Sequence, residues 1–270
     1  MTVETILTND IENPVYSVVI PLRDRYGHML RNCLRSIELQ TLTPVELIVV
    51  DYGSTPENHE KLLKMLPPCT LYRYETDEPW SLSTARNIGL RRANAPISCA
   101  VDADLILEQR VLEFALKIHE NYGPCYLTSH VVLLSPRDIV PSALELPRDY
   151  ELLPLAQRIK RAEGWGGFTS APAEWWFRSQ GFDERMKWWG WEDVDMWKRV
   201  ARAKYARNRM QGIIYPESEI YHQYHSNVQV VAVKQGKTEI HKTIIENERL
   251  TKLTRGIKRN DENWGIWSED

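Results

Sequence analysis

The chain has few cysteines, and the four it has lie far apart. No C-x-x-C pair occurs, and the cysteines are too sparse for a disulfide-stapled domain or a structural zinc site. Each lies in or near an apolar run, so we expect reduced and mostly buried thiols. They are Cys33, Cys69, Cys99 and Cys125.

Long apolar runs are also absent. No stretch approaches the roughly 20 consecutive apolar residues that cross a bilayer. The acidic N-terminus, Met1 to Asn13, lacks the basic-then-apolar order of a signal peptide. The sequence therefore predicts no transmembrane segment and a cytoplasmic location.

The charge balance argues against nucleic acid as a partner. The formal net charge is -3 and the pI is about 6.2, so the chain has no overall basic field. Two local basic runs, Arg91–Arg92 and residues 198–209, are predicted to be solvated helix faces.

Glycine-rich phosphate-binding motifs are missing too. No G-x-G-x-x-G follows the first predicted strand, and no G-x-x-x-x-G-K-[ST] occurs. The sequence therefore lacks the main evidence for a dinucleotide-binding or a P-loop protein. A D-x-D at Asp102 and Asp104 lies deep in the chain and is followed by Leu-Ile. It is therefore unlike the N-terminal D-x-D-x-T of phosphatases that form an aspartyl-phosphate.

What the chain does have is a regular alternation of strands and helices in its first half. Short apolar strands are predicted at 16–21, 47–50, 71–74, 97–101 and 125–134. Amphipathic helices are predicted between them, one of them beginning after Ser81 as N-cap. This order indicates βαβ units. The predicted fold is α/β, with a mostly parallel central sheet flanked by helices in a single elaborated domain.

The second half is less regular. Prolines interrupt the pattern across 136–167, which is predicted to be a loop-rich insertion. A helix is predicted at 192–205, because acidic residues begin it and basic residues follow. A strand is predicted at 228–233 and a helix from there to about Leu253.

Polar side chains follow three of the predicted strands. Arg23 and Asp24 come after the first, Asp51 ends the second, and Asp102 and Asp104 end the fourth. The carboxyl ends of parallel strands share one edge of a sheet, where ligands bind in open α/β folds. We therefore expect these side chains to converge on one site.

The D-x-D has the chemistry of a cation site. In an extended segment residues i and i+2 point to the same side, so both carboxylates can face one ion. Hard oxygen ligands suit Mg²⁺ or Mn²⁺, and such an ion neutralises phosphate oxygens.

Tryptophan is concentrated in one region. Trp197 is predicted to be core, while Trp165, Trp188, Trp189 and Trp191 are flanked by glycines that let a backbone approach a ligand closely. Their flat faces suit a sugar ring, and we expect about two of these four to contact one. Seven of the ten tryptophans fall in this region: Trp165, Trp175, Trp176, Trp188, Trp189, Trp191 and Trp197.

Several motifs in a fixed order resemble those of family-2-like glycosyltransferases of the GT-A fold. They are V-V-I-P at 18–21, V-V-D-Y-G-S at 49–54, A-R-N-I-G at 85–89 and V-D-A-D at 101–104. Two later motifs resemble the acceptor-side segment of β-1,4-galactosyltransferases, chondroitin polymerases and polypeptide N-acetylgalactosaminyltransferases. They are G-F-D-E at 181–184 and W-G-W-E-D-V-D at 189–195.

The resemblance implies a division of the chain. Residues 1–14 would be an N-terminal extension, 15–134 the nucleotide-sugar-binding half, 135–227 the acceptor-binding and catalytic half, and 228–270 a C-terminal extension. Asp51 would accept a hydrogen bond from the base, and Arg86 would face the diphosphate. The full set implied for the nucleotide sugar is Pro21, Arg23, Asp51, Arg86, Asp102 and Ala103.

The resemblance also implies roles in catalysis. Asp193 would be the catalytic base of an inverting single displacement, and Asp104 would ligate Mn²⁺ or Mg²⁺ together with His222, with His225 in reserve. Asp102 is a further candidate ligand. The acceptor, a saccharide or another hydroxyl compound, would contact Glu192, Trp189, Trp191 and Gly167.

One departure leaves the donor sugar open, because Trp191 stands where W-G-G-E-D has a glycine. Three alternatives also stay open. A retaining transferase would use Asp193 only to position the acceptor. A sugar-phosphate nucleotidyltransferase would need a glycine-rich basic loop after the first strand, and this loop has a single glycine. A non-catalytic carbohydrate-binding module would need only the tryptophans.

Overall fold

The computed structural model of the chain describes residues 2–135, 139, 141–154, 161–162, 166–188, 190–210, 218–225 and 238–267. The strand predicted at 228–233 lies outside these residues. The strands of the described residues are β1 (Val3–Leu7), β2 (Tyr16–Leu22), β3 (Val45–Tyr52), β4 (Thr70–Tyr74), β5 (Ile97–Val101), β6 (Leu105–Leu107), β7 (Cys125–Ser129), β8 (Val131–Leu133), β9 (Arg161–Ala162), β10 (Phe168–Pro172), β11 (Ala206–Met210) and β12 (Ile220–His222).

Eight strands form the central sheet, in the order β1-β4-β3-β2-β5-β10-β7-β11. The pairings of β2, β3, β4 and β5 with one another are parallel, and so is that of β7 with β11. Only β1 at the edge and β10 in the interior run in the opposite direction. The sheet is therefore mostly parallel, as predicted. A smaller sheet has the order β6-β12-β8-β9.

Helices cover both faces of the central sheet. The helices are α1 (His28–Glu38), α2 (Pro56–Leu63), α3 (Leu82–Arg92), α4 (Val111–Tyr122), α5 (Ala173–Ser179), α6 (Glu192–Arg202) and α7 (Thr238–Leu253). Along β2 the side chains of Val18 and Ile20 face one cluster, packed by α1 and α4, while Val19 faces the other, packed by α3, α5 and α6. None of the described helices is long and apolar enough to cross a membrane.

The sequence of α3 explains where the helix begins and how closely it packs against the sheet. Ser81 is the N-cap, as predicted, and its hydroxyl accepts a hydrogen bond from the Thr84 amide at 3.2 Å. Gly89 lets the helix lie close against β2, because a Cβ there would come within 2.3 Å of Val19 Cγ1. The four cysteines are free and buried, as predicted.

Three features differ from the sequence predictions. Residues 3–7 form an edge strand paired with β4, and residues 168–172 form the reversed strand between β5 and β7. The single strand predicted at 125–134 is two strands, β7 and β8, which belong to different sheets. A break at His130 therefore redirects the chain from the large sheet into the small one.

The prediction that the basic runs are solvated helix faces is wrong for Arg91, Arg92 and Arg199. Arg91 and Arg92 donate hydrogen bonds to backbone carbonyls of residues 264–266 at 2.8–3.0 Å. Arg199 is fully buried beside Asp195. Charge pattern alone predicted solvent exposure, but the C-terminal residues cover these helices.

Candidate active site

A cavity of about 1120 Å³ opens at the carboxyl ends of β2 and β5. Most of the predicted site residues line it, although they come from distant parts of the chain. The convergence expected at this edge of the sheet therefore occurs for Arg23, Asp24, Asp102 and Asp104, but not for Asp51. The predicted residues that line the cavity are Pro21, Arg23, Arg86, Asp102, Ala103, Asp104, Gly167, Glu192, Asp193 and His222, together with the reserve His225.

Among the described residues, Asp104, His222 and His225 form one group that can hold a metal ion. Each offers one ligand atom, and these atoms lie within 4.8 Å of one another. Asp104 Oδ2 lies 3.1 Å from His225 Nε2, and Asp104 Oδ1 lies 3.8 Å from His222 Nε2. The structure thus brings both candidate histidines to Asp104. We call these three residues the cation triad.

Strand register places the triad. β12 pairs antiparallel with β6, and His222 is opposite Leu105, the residue after Asp104. The Gln223 amide donates to the Asp104 carbonyl at 3.1 Å, which holds the two segments together. His225 follows three residues after His222 and reaches the same carboxylate.

The chemistry of the triad fits a divalent cation. Oδ1 of Asp104 is buried and has no hydrogen-bond partner, so it is available as a ligand. Burial works against ionisation of Asp104, but hydrogen bonding to His225 and the charge of His222 outweigh it, and its pKa lies below the usual value. Carboxylate and neutral imidazole are both common ligands of divalent metal ions in proteins.

Asp102, the other D-x-D residue, is engaged elsewhere. The Arg86 guanidinium donates from Nη2 to Asp102 Oδ1 and to the Gly166 carbonyl, each at 2.7 Å. Burial raises the pKa of Asp102 above its usual value, and Arg86 only partly offsets this effect. Arg86 is itself fully buried, and its Nη1 lies 3.9 Å from Glu192 Oε1. It therefore lies between Asp102 of the D-x-D and the two carboxylates Glu192 and Asp193.

Two glycines, Gly166 and Gly167, line the cavity where the backbone runs close to neighbouring side chains. A Cβ on Gly166 would lie 3.2 Å from Asp193 Oδ2, and one on Gly167 would lie 3.3 Å from Leu105 Cδ1. A larger residue at 166 would press on Asp193. The backbone can thus pass closely between the two sides of the cavity, and this explains glycine at both positions.

Glu192 and Asp193 begin helix α6, where the helix dipole favours negative charge. The Val194 amide donates to Asp193 Oδ1 at 2.8 Å. Burial nevertheless raises the pKa of Asp193 above its ordinary value. Burial, reinforced by the charge of Asp193, raises the pKa of Glu192 to about 7. A carboxylate with a raised pKa that faces a cavity is a suitable proton acceptor.

Two predicted residues do not line this cavity, and a third lies outside the described residues. Asp51 is fully buried, with Oδ1 accepting from the Ser54 amide at 3.0 Å and Oδ2 lying 2.6 Å from His59 Nδ1. Trp191 is partly buried, has a φ of 74° and precedes α6. Trp189 is the residue outside the described part of the chain.

The cavity also has walls that the sequence reasoning missed. Arg25 lies two residues after Arg23, and the same strand end carries both. Trp80 comes from the loop before α3, which holds no recognisable motif. Tyr224 lies between the two histidines of the triad. Trp188 lines the cavity as well and belongs to the tryptophan group predicted to contact sugar.

Protein-family models match two overlapping parts of the chain. Residues 17–186, more than half of the chain, match the glycosyl transferase family 2. Residues 152–226 match the N-terminal domain of galactosyltransferase. All the described residues that line the cavity fall within these two matches.

Individual proteins are similar over much of this chain. Validoxylamine A glucosyltransferase of Streptomyces hygroscopicus subsp. limoneus is 26% identical over 217 residues, which are 69% of this chain and 48% of that protein. Beta-1,4-galactosyltransferase 5 of Mus musculus is 23% identical over 216 residues, which are 79% of this chain and 44% of that protein. The chain thus spans about half the length of these curated relatives.

Solved structures share the fold. Residues 1–349 of TarS from S. aureus, in complex with UDP-GlcNAc, superpose with a TM-score of 0.55 at 16% identity. The match covers 78% of this chain and 59% of that one. The same TarS segment in complex with UDP has a TM-score of 0.54 and covers 86% of this chain and 64% of that one. These likenesses confirm the predicted α/β architecture.

Proposed function

Because the chain belongs to glycosyl transferase family 2, we propose that it transfers a sugar from a nucleotide-sugar donor to a hydroxyl group of a saccharide or other acceptor. The predicted enzyme class, a glycosyltransferase, and the predicted GT-A fold follow from that membership. We propose a uridine diphosphate sugar as the donor. The TarS structures were solved with UDP-GlcNAc and with UDP, so uridine nucleotides are the first donors to test.

One observation carries the proposal. One cavity contains both the cation triad and a separate carboxylate, Asp193. No described ion pair joins Asp193 to a residue of the triad. Glycosyl transfer to a hydroxyl needs both functions. The leaving nucleoside diphosphate develops negative charge, and the acceptor hydroxyl must lose a proton.

The triad residues would hold Mn²⁺ or Mg²⁺. When bound, the cation supplies positive charge that neutralises the diphosphate of the donor. Arg23 and Arg25, at the end of β2, add positive charge to the same cavity. Seven acidic side chains also line it, namely Asp24, Asp77, Glu78, Asp102, Asp104, Glu192 and Asp193, so an anionic donor requires this compensation.

Asp193 accepts the proton of the acceptor hydroxyl as the new glycosidic bond forms. Its raised pKa makes it a stronger base than an exposed aspartate, while the Val194 amide and the helix dipole keep it oriented and ionised. Glu192 is buried beside it and, with a pKa of about 7, can hydrogen-bond to an acceptor hydroxyl as donor or acceptor. Attack on the side of the anomeric carbon opposite the leaving group inverts its configuration.

Asp51 supports the donor site indirectly in this proposal. It holds the backbone of Ser54, and the Ser54 hydroxyl accepts a hydrogen bond from the Asp24 amide at 2.7 Å. Asp24 and its neighbour Arg23 line the cavity. Asp51 thereby fixes the loop that borders the nucleotide.

The proposal is tested by calorimetric titration of UDP and UDP-sugars with and without Mn²⁺. We expect binding that depends on Mn²⁺ in the wild type and is lost in His225→Ala. His241→Ala is the matched control, because His241 is an exposed histidine on α7 that does not line the cavity. Equal binding with and without the metal, or no loss in His225→Ala, would remove the cation from the proposal.

A further inference from the structure

The C-terminal segment, residues 238–267, lies beyond both family matches, which end at residues 186 and 226. It is nevertheless bonded to the part of the cavity that carries the acceptor-side carboxylates. We propose that this segment completes the active site, with Asn247 and Arg259 as positioning residues for Glu192 and Asp193. This inference rests on the function proposed above.

Asn247 holds the backbone that precedes the two carboxylates. It is a buried residue of α7, 1% exposed, and its amide nitrogen donates to the carbonyls of Lys187 at 2.9 Å and Gly190 at 3.1 Å. Both hydrogens of the amide are therefore used. Trp188 and Gly190, which line the cavity, belong to this backbone segment.

That backbone has an unusual conformation. Trp188, Gly190 and Trp191 have φ values of 59°, 98° and 74°. Bulky residues disfavour the left-handed region and remain there only where surrounding contacts enforce it. Asn247 supplies such contacts from outside, directly before Glu192 begins α6.

Arg259 holds the first turn of α6 itself. Its Nη2 lies 2.8 Å from Asp195 Oδ1, and Arg199 Nε lies 2.8 Å from Asp195 Oδ2. All three side chains are fully buried, so each charge depends on its partners. Asp195 is two residues after Asp193. An ion pair from the C-terminal segment thus fixes the orientation of the turn that bears the proposed base.

The donor side has separate support. The Asp104 carbonyl accepts hydrogen bonds from the backbone and side-chain amides of Gln223, both at 3.1 Å. Loosening the C-terminal segment should therefore disturb Asp193 while leaving the cation triad in place. A loss of turnover with unchanged cation binding would therefore indicate loss of positioning, because general destabilisation would impair both.

Asn247→Asp is the test variant, because it keeps the size of the side chain but replaces the nitrogen that donates to the carbonyls of Lys187 and Gly190 with a carboxylate oxygen, which cannot donate when ionised. We expect turnover in sugar transfer to fall about 10- to 100-fold, the scale of a misplacement near 1 Å. The affinity for UDP in the presence of Mn²⁺ should stay within about twofold. Asn263→Asp, an exposed change of the same kind in the same segment, is the matched control and should behave as the wild type.

A double-mutant cycle separates positioning from general damage. If Asn247 acts through Asp193, then adding Asn247→Asp to Asp193→Asn should lower the residual turnover less than about twofold. The same cycle is repeated with Arg259→Lys, a substitution that keeps the positive charge, as a test of the second proposed positioning residue. If the turnover losses of the single variants multiply in full in both double variants, the inference is overturned.

Amide hydrogen exchange gives a readout that does not need activity. In Asn247→Asp we expect faster exchange at residues 190–195 and unchanged exchange in β2 and β5. Exchange that rises uniformly, or not at all, would contradict a positioning role. If the wild type transfers no sugar, the proposed function fails, whereas the exchange experiment still decides whether the C-terminal segment holds this turn.

Discussion

Replacing Glu192 by glutamine should make the protein more stable at high pH and leave its stability unchanged at low pH. The Glu192 side chain is 8% exposed, and burial raises its pKa from 4.5 to about 7. Each pKa unit corresponds to about 1.4 kcal/mol. The cost of ionising Glu192 in the folded protein is therefore at most about 3 kcal/mol.

The sign follows from proton binding. Between pH 4.5 and about 7 the folded state holds a proton that the unfolded state has released, so the free energy of unfolding falls as the pH rises through this window. Below pH 4.5 the acid is neutral in both states. Glutamine resembles the neutral acid at every pH, so Glu192→Gln should gain about 2–3 kcal/mol over the wild type at pH 8 and about zero at pH 4.5.

Urea denaturation followed by tryptophan fluorescence measures this difference, with a chelator present and both proteins at the same pH. Comparison at equal pH cancels the contribution of the titrating groups that do not interact with Glu192. Arg86 provides the opposing effect, because its Nη1 lies 3.9 Å from Glu192 Oε1. A variant less stable than the wild type at pH 8 would show that the ion pair outweighs burial and would refute this reasoning.

Three further predictions concern the other side chains of the site. Asp104→Ala should abolish Mn²⁺-dependent UDP binding and transfer, because it removes a ligand that offers an unpartnered oxygen; turnover at the wild-type rate by a folded variant would contradict the assignment. Transfer should decline as the pH falls through the pKa of Asp193, with a midpoint above the ordinary aspartate value of about 3.9, measured at saturating donor, acceptor and Mn²⁺; a flat profile down to pH 4 would contradict it. Asp51→Ala should raise the donor KM with little change in kcat, since in our proposal the loop that Asp51 holds borders the nucleotide and not the breaking bond; an unchanged affinity for UDP would separate Asp51 from the nucleotide site.

The sequence predicted the parallel core of the fold because each strand there has its own local signal. The short, mostly apolar runs of β2, β3 and β5 are buried on both faces, and the helices between them carry apolar residues at helical spacing. Strand ends in a parallel sheet share an edge by topology. For this reason the convergence of Arg23, Asp102 and Asp104 on one cavity was predictable from the sequence alone.

The reversed strand β10 was not predictable in the same way. Its residues, F-T-S-A-P, include only one large apolar side chain, and its place between β5 and β7 depends on long-range pairing. The edge strand β1 depends on pairing with β4, which follows it by more than 60 residues. Local pattern contains no information about such partners.

Long-range contacts also limited what the sequence could predict about the site. The sequence favoured His222 as the metal ligand because it matched a family position, whereas the register of β12 on β6 brings His222 and His225 together at Asp104. The partial burial of Arg92 and the full burial of Arg199 were missed because the residues that cover them are distant in sequence. Charge patterns describe a helix face, but tertiary contacts decide whether solvent reaches it.

Turnover of Asp193→Asn tests the central claim most directly. Asparagine keeps the size of the side chain but cannot accept the proton of the acceptor, and general-base catalysis contributes about 10²- to 10⁴-fold. We expect turnover in sugar transfer to fall by that factor, with the affinity for UDP and Mn²⁺ unchanged and with inverted configuration in the product of the wild type. Near-normal turnover of the variant, or a product that retains the configuration of the donor, would contradict the proposal and leave Asp193 as a residue that only positions the acceptor.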